Sequence, residues 1–257
     1  SVISVDEKLN RMVNIWSQYQ CVVNFSLAQR TGDFGSGTDN SIKCGNFNQN
    51  MAGFVYLMTE QARSRIIDLA SAQSENGELS SQTHLSVKKM DEALWLIYAV
   101  ASYIKETGDW AILDENVLFE KNTHTAKPLL DHLSRAFYNV FNSRGPHGLP
   151  TSRPDKKSES VFTAGLFVNV GNEYVKILQN KERKQEADTA RKCVDQMIKA
   201  IKEHGWDGEW FIYAYDDAGK RVGSSECEEG KIFIEPQGCC IMAGIGAEEG
   251  LSRRAMD

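Results

Sequence analysis

The residues best suited to chemistry lie in the last quarter of the chain, where tryptophans alternate with carboxylic acids. They occupy three short stretches, His204–Phe211, Ala214–Asp216 and Glu229–Gly238. Trp faces stack on sugar rings, and Asp, Glu and Gln side chains hydrogen-bond sugar hydroxyls. This pattern predicts a carbohydrate site, and its candidate substrate-binding residues are Trp206, Asp207, Trp210, Glu235 and Gln237. The alternative is purely structural, with the same side chains closing a corner between a helix and a hairpin.

The stretch that ends at Gly238 resembles the glycoside hydrolase family 94 phosphorylases, which include cellobiose, cellodextrin and chitobiose phosphorylases. Trp16–Cys21 and Gly145–Pro150 resemble the same family, so the resemblance runs over nearly the whole chain. It implies an inverting phosphorylase that cleaves a β-glucoside such as cellobiose with phosphate and releases a sugar 1-phosphate. The implied partner is a β-linked glucoside or oligosaccharide, with inorganic phosphate as co-substrate and no cofactor.

The catalytic acid of such an enzyme must protonate the leaving oxygen, whereas phosphate is already a nucleophile and needs no base. In the family the acid belongs to an Ala-Asp-Trp-Asn-Asp motif that follows the segment resembling Gly145–Pro150. Here the next residues are Thr151–Ser160, and the Trp-Asn-Asp portion is missing. Asp155 is the remaining catalytic candidate, although an exposed Asp in a turn rich in Pro and Lys is the better explanation of this residue.

A second family motif, Phe-Arg-Asp-Ser-x-Gln-Asp, aligns with Cys44–Asn50. Gln49 matches and is a further candidate substrate-binding residue. Gly45 replaces the Arg and removes its fixed charge and five donors, while Asn46 and Asn50 replace both Asp residues. The loop that the family carries before Asp91 is shortened as well. We therefore expect this phosphorylase-like chain to be inactive in isolation. The alternative function is a non-catalytic remnant of the family, such as a pseudoenzyme that binds carbohydrate or a protein partner.

Composition narrows the partners and the compartment. The net charge is −6 and the mixed-charge stretch Lys181–Lys192 is typical of a solvated helix face, so we expect no nucleic acid. The absence of a long apolar run and of a signal-peptide pattern at Ser1–Glu7 predicts no membrane partner. Six Cys without framework spacing indicate reduced thiols and a cytoplasmic protein. Scattered His and the lack of a CxxC motif predict no metal site.

Helical periodicity dominates the chain. The clearest helix begins at Asp91 and ends at Gly108, Pro128 precedes another, and Val161–Leu178 is apolar on nearly every face. Trp210–Tyr215 reads as a strand, with Ile232–Ile234 as its predicted partner. The sequence predicts a mainly α protein with a minor β-hairpin, and helix pairs of similar length fit a bundle or a toroid. The family resemblance implies a partial (α/α)6 barrel.

Residues 1–257 then form part of an (α/α)6-barrel glycoside phosphorylase catalytic domain, without the N-terminal β-sandwich and the C-terminal domain of the family. The chain offers about half of the helix pairs that close such a ring. An open half-ring leaves apolar helix faces without partners, and Val161–Val170 is the face expected to be exposed. A homo-oligomer is one way to cover it.

Overall fold

The computed structural model describes residues 2–23, 51–53, 55–79, 90–120, 125–153 and 155–257. The protein is mainly helical, as its periodicity predicted, and carries small antiparallel sheets. A π-helical turn, Met12–Trp16, extends the first helix, and a 3-10 turn spans Trp110–Asp114. The α-helices of this part are α1 (Glu7–Arg11), α2 (Thr59–Ala70), α3 (Asp91–Thr107), α4 (Leu129–Asn142), α5 (Val161–Asn180), α6 (Lys184–His204), α7 (Ile234–Met242) and α8 (Leu251–Arg254).

Two small sheets accompany the helices. Strand β1 (Asn116–Leu118) pairs with β2 (Ala126–Pro128), and a second sheet has the order β3 (Glu159–Ser160), β4 (Ala214–Tyr215), β5 (Arg221–Val222). All of these pairings are antiparallel. The hairpin β4–β5 is the minor hairpin that the sequence predicted.

The predicted second strand of that hairpin was wrong. Ile232–Ile234 does not pair with Trp210–Tyr215, because Ile234 begins α7 and Arg221–Val222 supplies the pairing strand instead. Pro236 lies in the first turn of α7, where backbone N–H groups have no acceptor within the helix. A proline there therefore costs no helical hydrogen bond. The apolar Ile-Phe-Ile run therefore leads into a helix.

The chain divides into two compact units, of which the first comprises residues 1–75, 79–86 and 98–132. In this unit Asp109 accepts hydrogen bonds from two side chains, the Tyr103 hydroxyl at 2.9 Å and Arg63 Nε at 3.3 Å. Arg63 also pairs with Glu115. Burial works to raise the pKa of Asp109, but these hydrogen bonds outweigh it and the pKa is lowered. Asp109 thus stays ionised and joins α2 to the segment after α3.

The second unit comprises residues 76–78, 87–97 and 133–257, and α5 runs through its core. Helix α5 packs against α6 on one side and α7 on the other, so it buries apolar residues around most of its circumference. The Ser160 hydroxyl caps it by accepting from the Thr163 amide at 3.1 Å. The expectation that Val161–Val170 is exposed was therefore wrong, because α6 and α7 cover it; Val161, Leu166 and Val170 are buried.

Close packing of α5 against α7 depends on Gly165. A Cβ atom at this position would lie 2.9 Å from Cys240 Sγ and 3.1 Å from the Cys240 backbone nitrogen. Glycine lets the two helix backbones approach to this distance. Phe137 stacks on Phe167 with ring centroids 4.5 Å apart and adds α4 to the same core.

Among the described residues, no helix combines the length and the apolar character that crossing a bilayer requires.

Candidate functional site

The first residues of α3, α5 and α7 converge on Tyr213, which directly precedes β4. The Val161 amide at the start of α5 donates to the Tyr213 carbonyl at 3.1 Å. Burial raises the pKa of the Tyr213 hydroxyl, and the charges of Glu235 in α7 and Asp91 in α3 raise it further. Carboxylates in the first turn are favoured by the helix dipole. This end of the second unit is therefore where polar side chains of several helices meet.

Gln237, a predicted substrate-binding residue, is buried at this end and holds the backbone together. Its amide oxygen accepts from the Phe211 amide at 2.9 Å, and its amide nitrogen donates to the carbonyls of Phe211 at 2.6 Å and Phe233 at 3.0 Å. These three bonds use most of its hydrogen-bonding capacity. Gln237 fixes the segment before β4 onto α7, and a sugar contact from it stays a prediction.

Asp207 and Trp210 are likewise bound to the hairpin. The Asp207 side chain is 4% exposed and accepts from the Ser225 amide at 2.5 Å and the Ser224 hydroxyl at 3.1 Å. The Trp210 indole nitrogen donates to the Gly223 carbonyl at 3.0 Å. Both side chains thus clamp residues 223–225, just beyond β5, against the loop after α6.

The other predicted binding residues differ in accessibility. Trp206 is half-buried and packs edge-on against Phe211, with ring centroids 4.9 Å apart. Glu235 is exposed in the first turn of α7. Gln49 lies outside the described residues, together with the Gly45, Asn46 and Asn50 substitutions. The structure therefore brings Trp206, Asp207, Trp210 and Gln237 together at residues 206–211. Sugar binding by these side chains stays a prediction.

Asp155, the candidate acid, lies in the loop between Ser152 and Ser158. Its side chain is 71% exposed, and its carboxylate pairs with Arg153 at 3.4 Å. The loop is closed by the Ser152 amide donating to the Ser158 carbonyl at 2.7 Å. The structure thus places Asp155 in solvent beside a cation, apart from the buried polar residues near α7.

A cavity of about 510 Å³ lies between this loop and the β4–β5 turn. We call it the loop cavity. Its volume falls within the range of about 300–1,000 Å³ typical of small-molecule sites. Its walls carry polar and charged groups from the α4–α5 connection and from the hairpin turn; they include Arg144, His147, Thr151, Lys156, Lys157, Glu159, Asp216 and Asp217.

The most constrained group in the loop cavity is the pair Glu159–His147. Glu159 is 1% exposed, and its Oε2 lies 2.6 Å from His147 Nδ1. The amides of His147 and Leu149 also donate to Glu159 Oε1, at 3.1 and 3.2 Å. The His147 ring stacks on Tyr215 with centroids 3.8 Å apart. One buried carboxylate thus fixes the turn after α4 and the orientation of its imidazole.

Gly145 makes that arrangement possible, because a Cβ there would lie 2.5 Å from the Glu159 carboxyl carbon. Sequence reasoning identified the segment Gly145–Pro150 and missed the pairing of His147 with Glu159. The available signal was an acid two residues before the first residue of a buried helix, where a charged side chain needs a partner.

Comparison with known proteins decides the family. The family described as "Glycosyl hydrolase 94 superfamily, catalytic domain" matches residues 1–90 and 81–257. The chain belongs to this superfamily. The two matched parts overlap at residues 81–90.

Several glycosyl hydrolase 94 relatives are phosphorylases. The chain is 25% identical to solabiose phosphorylase of Paenibacillus borealis, over 97% of its own length and 33% of the relative. It is 24% identical to cellobionic acid phosphorylase of Neurospora crassa, over 96% of its own length and 33% of the relative. It is 22% identical to N,N'-diacetylchitobiose phosphorylase of Vibrio proteolyticus, over 100% of its own length and 37% of the relative. The chain spans about a third of the length of these curated relatives.

The fold also matches that of a solved structure outside the phosphorylases. A rhamnosidase from Klebsiella oxytoca with rhamnose bound superimposes with a TM-score of 0.68 at 14% identity, over 98% of this chain and 47% of the other. The mainly helical architecture with small sheets is consistent with the (α/α)6-barrel type. No group of three or more His, Cys, Asp and Glu within the described ranges could hold a metal ion.

Proposed function

We propose that this chain binds a β-linked glucoside or oligosaccharide in the loop cavity and does not by itself cleave it with phosphate. Membership of the glycosyl hydrolase 94 superfamily supports a phosphorylase-like protein. The cavity supplies polar groups that suit sugar hydroxyls, and one of its lining residues, His147, is held rigidly by stacking on Tyr215. The proposal includes no cofactor, with inorganic phosphate as the co-substrate of any active form. We also propose a cytoplasmic location, on the cysteine spacing of the sequence.

The position of Asp155 carries the proposal that catalysis is lost. A carboxyl group serves as a general acid near neutral pH when burial or a neighbouring negative charge keeps it protonated. Asp155 has neither, because it is 71% exposed and pairs with Arg153. Glu159, the buried carboxylate beside this loop, already accepts from three hydrogen-bond donors. The loop that replaces the acid-bearing loop of the family therefore offers no acid suited to the leaving oxygen.

A phosphorolysis assay tests this proposal. Purified protein is incubated with cellobiose and inorganic phosphate, and glucose 1-phosphate is measured over hours at high enzyme concentration. We expect no phosphate-dependent release above the level of a heat-denatured sample. Phosphate-dependent release would contradict the proposal, and its loss in Asp155→Asn would identify the acid. Asp188→Asn is the matched control, because Asp188 is exposed on α6 and lies outside the cavity.

The second candidate function is association with another copy of the chain. Ile234 and Met242 lie on one face of α7, two turns apart, and are 79% and 68% exposed. Gly238 lies between them on the same face, and a Cβ there would contact nothing within 4 Å. Large apolar side chains clustered on one exposed face are typical of interaction surfaces.

Sedimentation velocity tests this second candidate. We expect a concentration-dependent dimer that Met242→Glu converts to monomer. Met256→Glu is the matched control, since Met256 is 66% exposed at the C-terminal end. A monomer at all concentrations, or equal effects of both substitutions, would remove the association through α7.

A further inference from the structure

Two walls of the loop cavity come from distant parts of the sequence. One belongs to residues 155–158, which we call the strap, and the other to the β4–β5 turn. The cavity lining includes Lys156 and Lys157 of the strap and Asp217 of the turn. The contacts that join these two walls therefore determine how far the cavity is open on this side.

The strap is anchored at both ends and polar in between. Before it, the Thr151 amide donates to the Ser143 carbonyl at 2.9 Å. At its other end, the Ser158 carbonyl accepts from the Ser152 amide at 2.7 Å. Residues 155–157 are exposed and carry only charged side chains. A segment with few buried apolar contacts opens at a low free-energy cost, so the strap can move while its ends stay fixed.

The β4–β5 turn is fixed by its own hydrogen bonds. Asp216 Oδ1 accepts from the amides of Ala218 at 2.9 Å and Lys220 at 2.8 Å, and the Asp216 amide donates to the Lys220 carbonyl at 2.9 Å. Strand β4 also pairs with β3 on one side and β5 on the other. The turn is therefore the rigid wall of the cavity, and the strap is the movable one.

The side chain of Asp217 joins the strap to the turn. Its Oδ1 accepts from the amides of Lys157 at 3.0 Å and Ser158 at 2.9 Å, and its Oδ2 pairs with Lys156 Nζ at 3.5 Å. The Ser158 amide is the largest cause that lowers the pKa of Asp217, and burial opposes it. One ionised carboxylate thus binds three successive residues of the strap.

We propose that the strap opens and closes over the loop cavity, with Asp217 as the latch that holds it closed. The latch consists of two amide hydrogen bonds and one ion pair around a half-exposed carboxylate, and such contacts stabilise a closed form only modestly in water. A molecule enters the cavity from this side when the three contacts break. The strap acts on any occupant of the cavity, so failure of this inference leaves the proposed function intact.

Limited digestion with trypsin tests the latch, because trypsin cuts after Lys156 and Lys157. The nitrogen atoms of these two peptide bonds are the Lys157 and Ser158 amides that bind Asp217. Cleavage therefore reports the population in which the strap has left the turn. We expect Asp217→Asn to speed both cleavages about 3- to 10-fold and Asp217→Ala at least as much, because a carboxylate is the stronger acceptor.

Two controls separate opening of the strap from unfolding of the second unit. Asp188→Asn removes an exposed carboxylate of α6 outside the cavity and should leave both cleavage rates unchanged. Cleavage after Lys199, which is 74% exposed on α6, reports loosening of the unit and should not rise in the Asp217 variants.

Chemical modification of His147 tests whether the strap closes the cavity. His147 lines the cavity, whereas His204, with its ring centroid 5.3 Å away, lies outside the lining. Diethylpyrocarbonate modifies imidazole rings, and mass spectrometry identifies the modified residue. We expect Asp217→Ala to raise the rate at His147 relative to His204 by about 3-fold or more, because the open strap exposes the cavity.

Three results would overturn the inference. Equal cleavage rates in Asp217→Ala and the unaltered protein would show that Asp217 does not hold the strap. A parallel rise in cleavage after Lys199 would show that the substitution loosens the whole unit. Faster cleavage of the strap with unchanged modification of His147 would show that the strap moves without closing the cavity.

Discussion

At the residue scale, the cluster of aromatic and acidic residues in the sequence indicated which side chains are candidates for binding. It did not indicate which distant groups these side chains hydrogen-bond. Gln237 bonds to the backbone of Phe211, 26 positions away, and Asp207 bonds to Ser224 and Ser225. Sequence spacing indicates which residues share a helix face, whereas it carries no information on which distant backbone groups lack partners. The sequence raised a structural role for Asp207 and Gln237 as an alternative, and the hydrogen bonds that support it became visible only in three dimensions.

The pair Glu159–His147 gives the first residue-scale prediction. Glu159→Gln keeps the shape and removes the charge that strengthens three hydrogen bonds, so unfolding free energy should fall by about 1–3 kcal/mol. Urea unfolding followed by circular dichroism measures the change. Glu203→Gln is the control, because Glu203 is 53% exposed and its contact with Lys199 is 3.7 Å long; we expect a change within about 0.5 kcal/mol. Equal effects would show that Glu159 does not hold the turn.

At the element scale, the helices could be predicted from the spacing of apolar residues. A helix that is buried on one face has apolar residues three or four positions apart, and a helix that is buried on all faces has them at most positions. Helix α6 buries residues three or four apart, and α5 buries nearly all its apolar residues because it has neighbours on two sides. The strand assigned to Ile232–Ile234 failed because three apolar residues fit a strand or the start of a helix equally well. Tertiary packing of α7 against α5 decides between them.

Two glycines in helices give opposite predictions for the same substitution. Gly165→Ala should destabilise the protein by about 1–3 kcal/mol, because its Cβ would meet the Cys240 backbone nitrogen at 3.1 Å and force α5 and α7 apart. Gly238→Ala should stabilise it by about 0.5–1 kcal/mol, since alanine favours the helix and nothing lies within 4 Å. Thermal unfolding of both variants measures the difference. A destabilising Gly238→Ala would mean that this face of α7 is covered.

Alkaline pH should weaken the core around α5. Burial raises the pKa of Tyr174 to about 12, with a hydrogen bond from Ser134 opposing it, and burial raises the pKa of Cys239 to about 12 as well. A raised pKa means that the folded protein favours the neutral group, so this stability is complete below the ordinary values, 9.0 for Cys and 10.0 for Tyr. It is lost as pH rises toward 12.

Unfolding free energy measured from pH 8 to 11.5 tests this dependence. Tyr174→Phe removes the titrating hydroxyl. Between pH 8 and 11.5 the unfolding free energy of the unaltered protein should therefore fall further than that of the variant, by on the order of 1 kcal/mol. Tyr19→Phe is the control, because Tyr19 is 59% exposed. Parallel pH profiles for Tyr174→Phe and the unaltered protein would contradict the assignment.

At the scale of the whole molecule, the mainly helical fold and the family could be predicted from the sequence. Apolar periodicity indicated the helices, and the resemblance of segments such as Gly145–Pro150 indicated the family that the catalytic-domain match confirms. The loop cavity could not be predicted, since it is formed by loop 151–158 and a hairpin turn whose contact is through Asp217. The half-ring expectation placed the exposed face on α5. In the described part of the second unit, the exposed large apolar residues are instead Ile234 and Met242 on α7, Ile232 before it and Met256 near the C-terminal end.

We expect this fold to bind a β-linked glucoside although it has no working acid. Calorimetric titration of cellobiose into the purified protein, with maltose as the α-linked control, tests binding directly. We predict saturable binding with Kd on the order of 1 mM, at least several-fold weaker for maltose. No heat of binding up to tens of millimolar, or equal affinity for both disaccharides, would contradict the account.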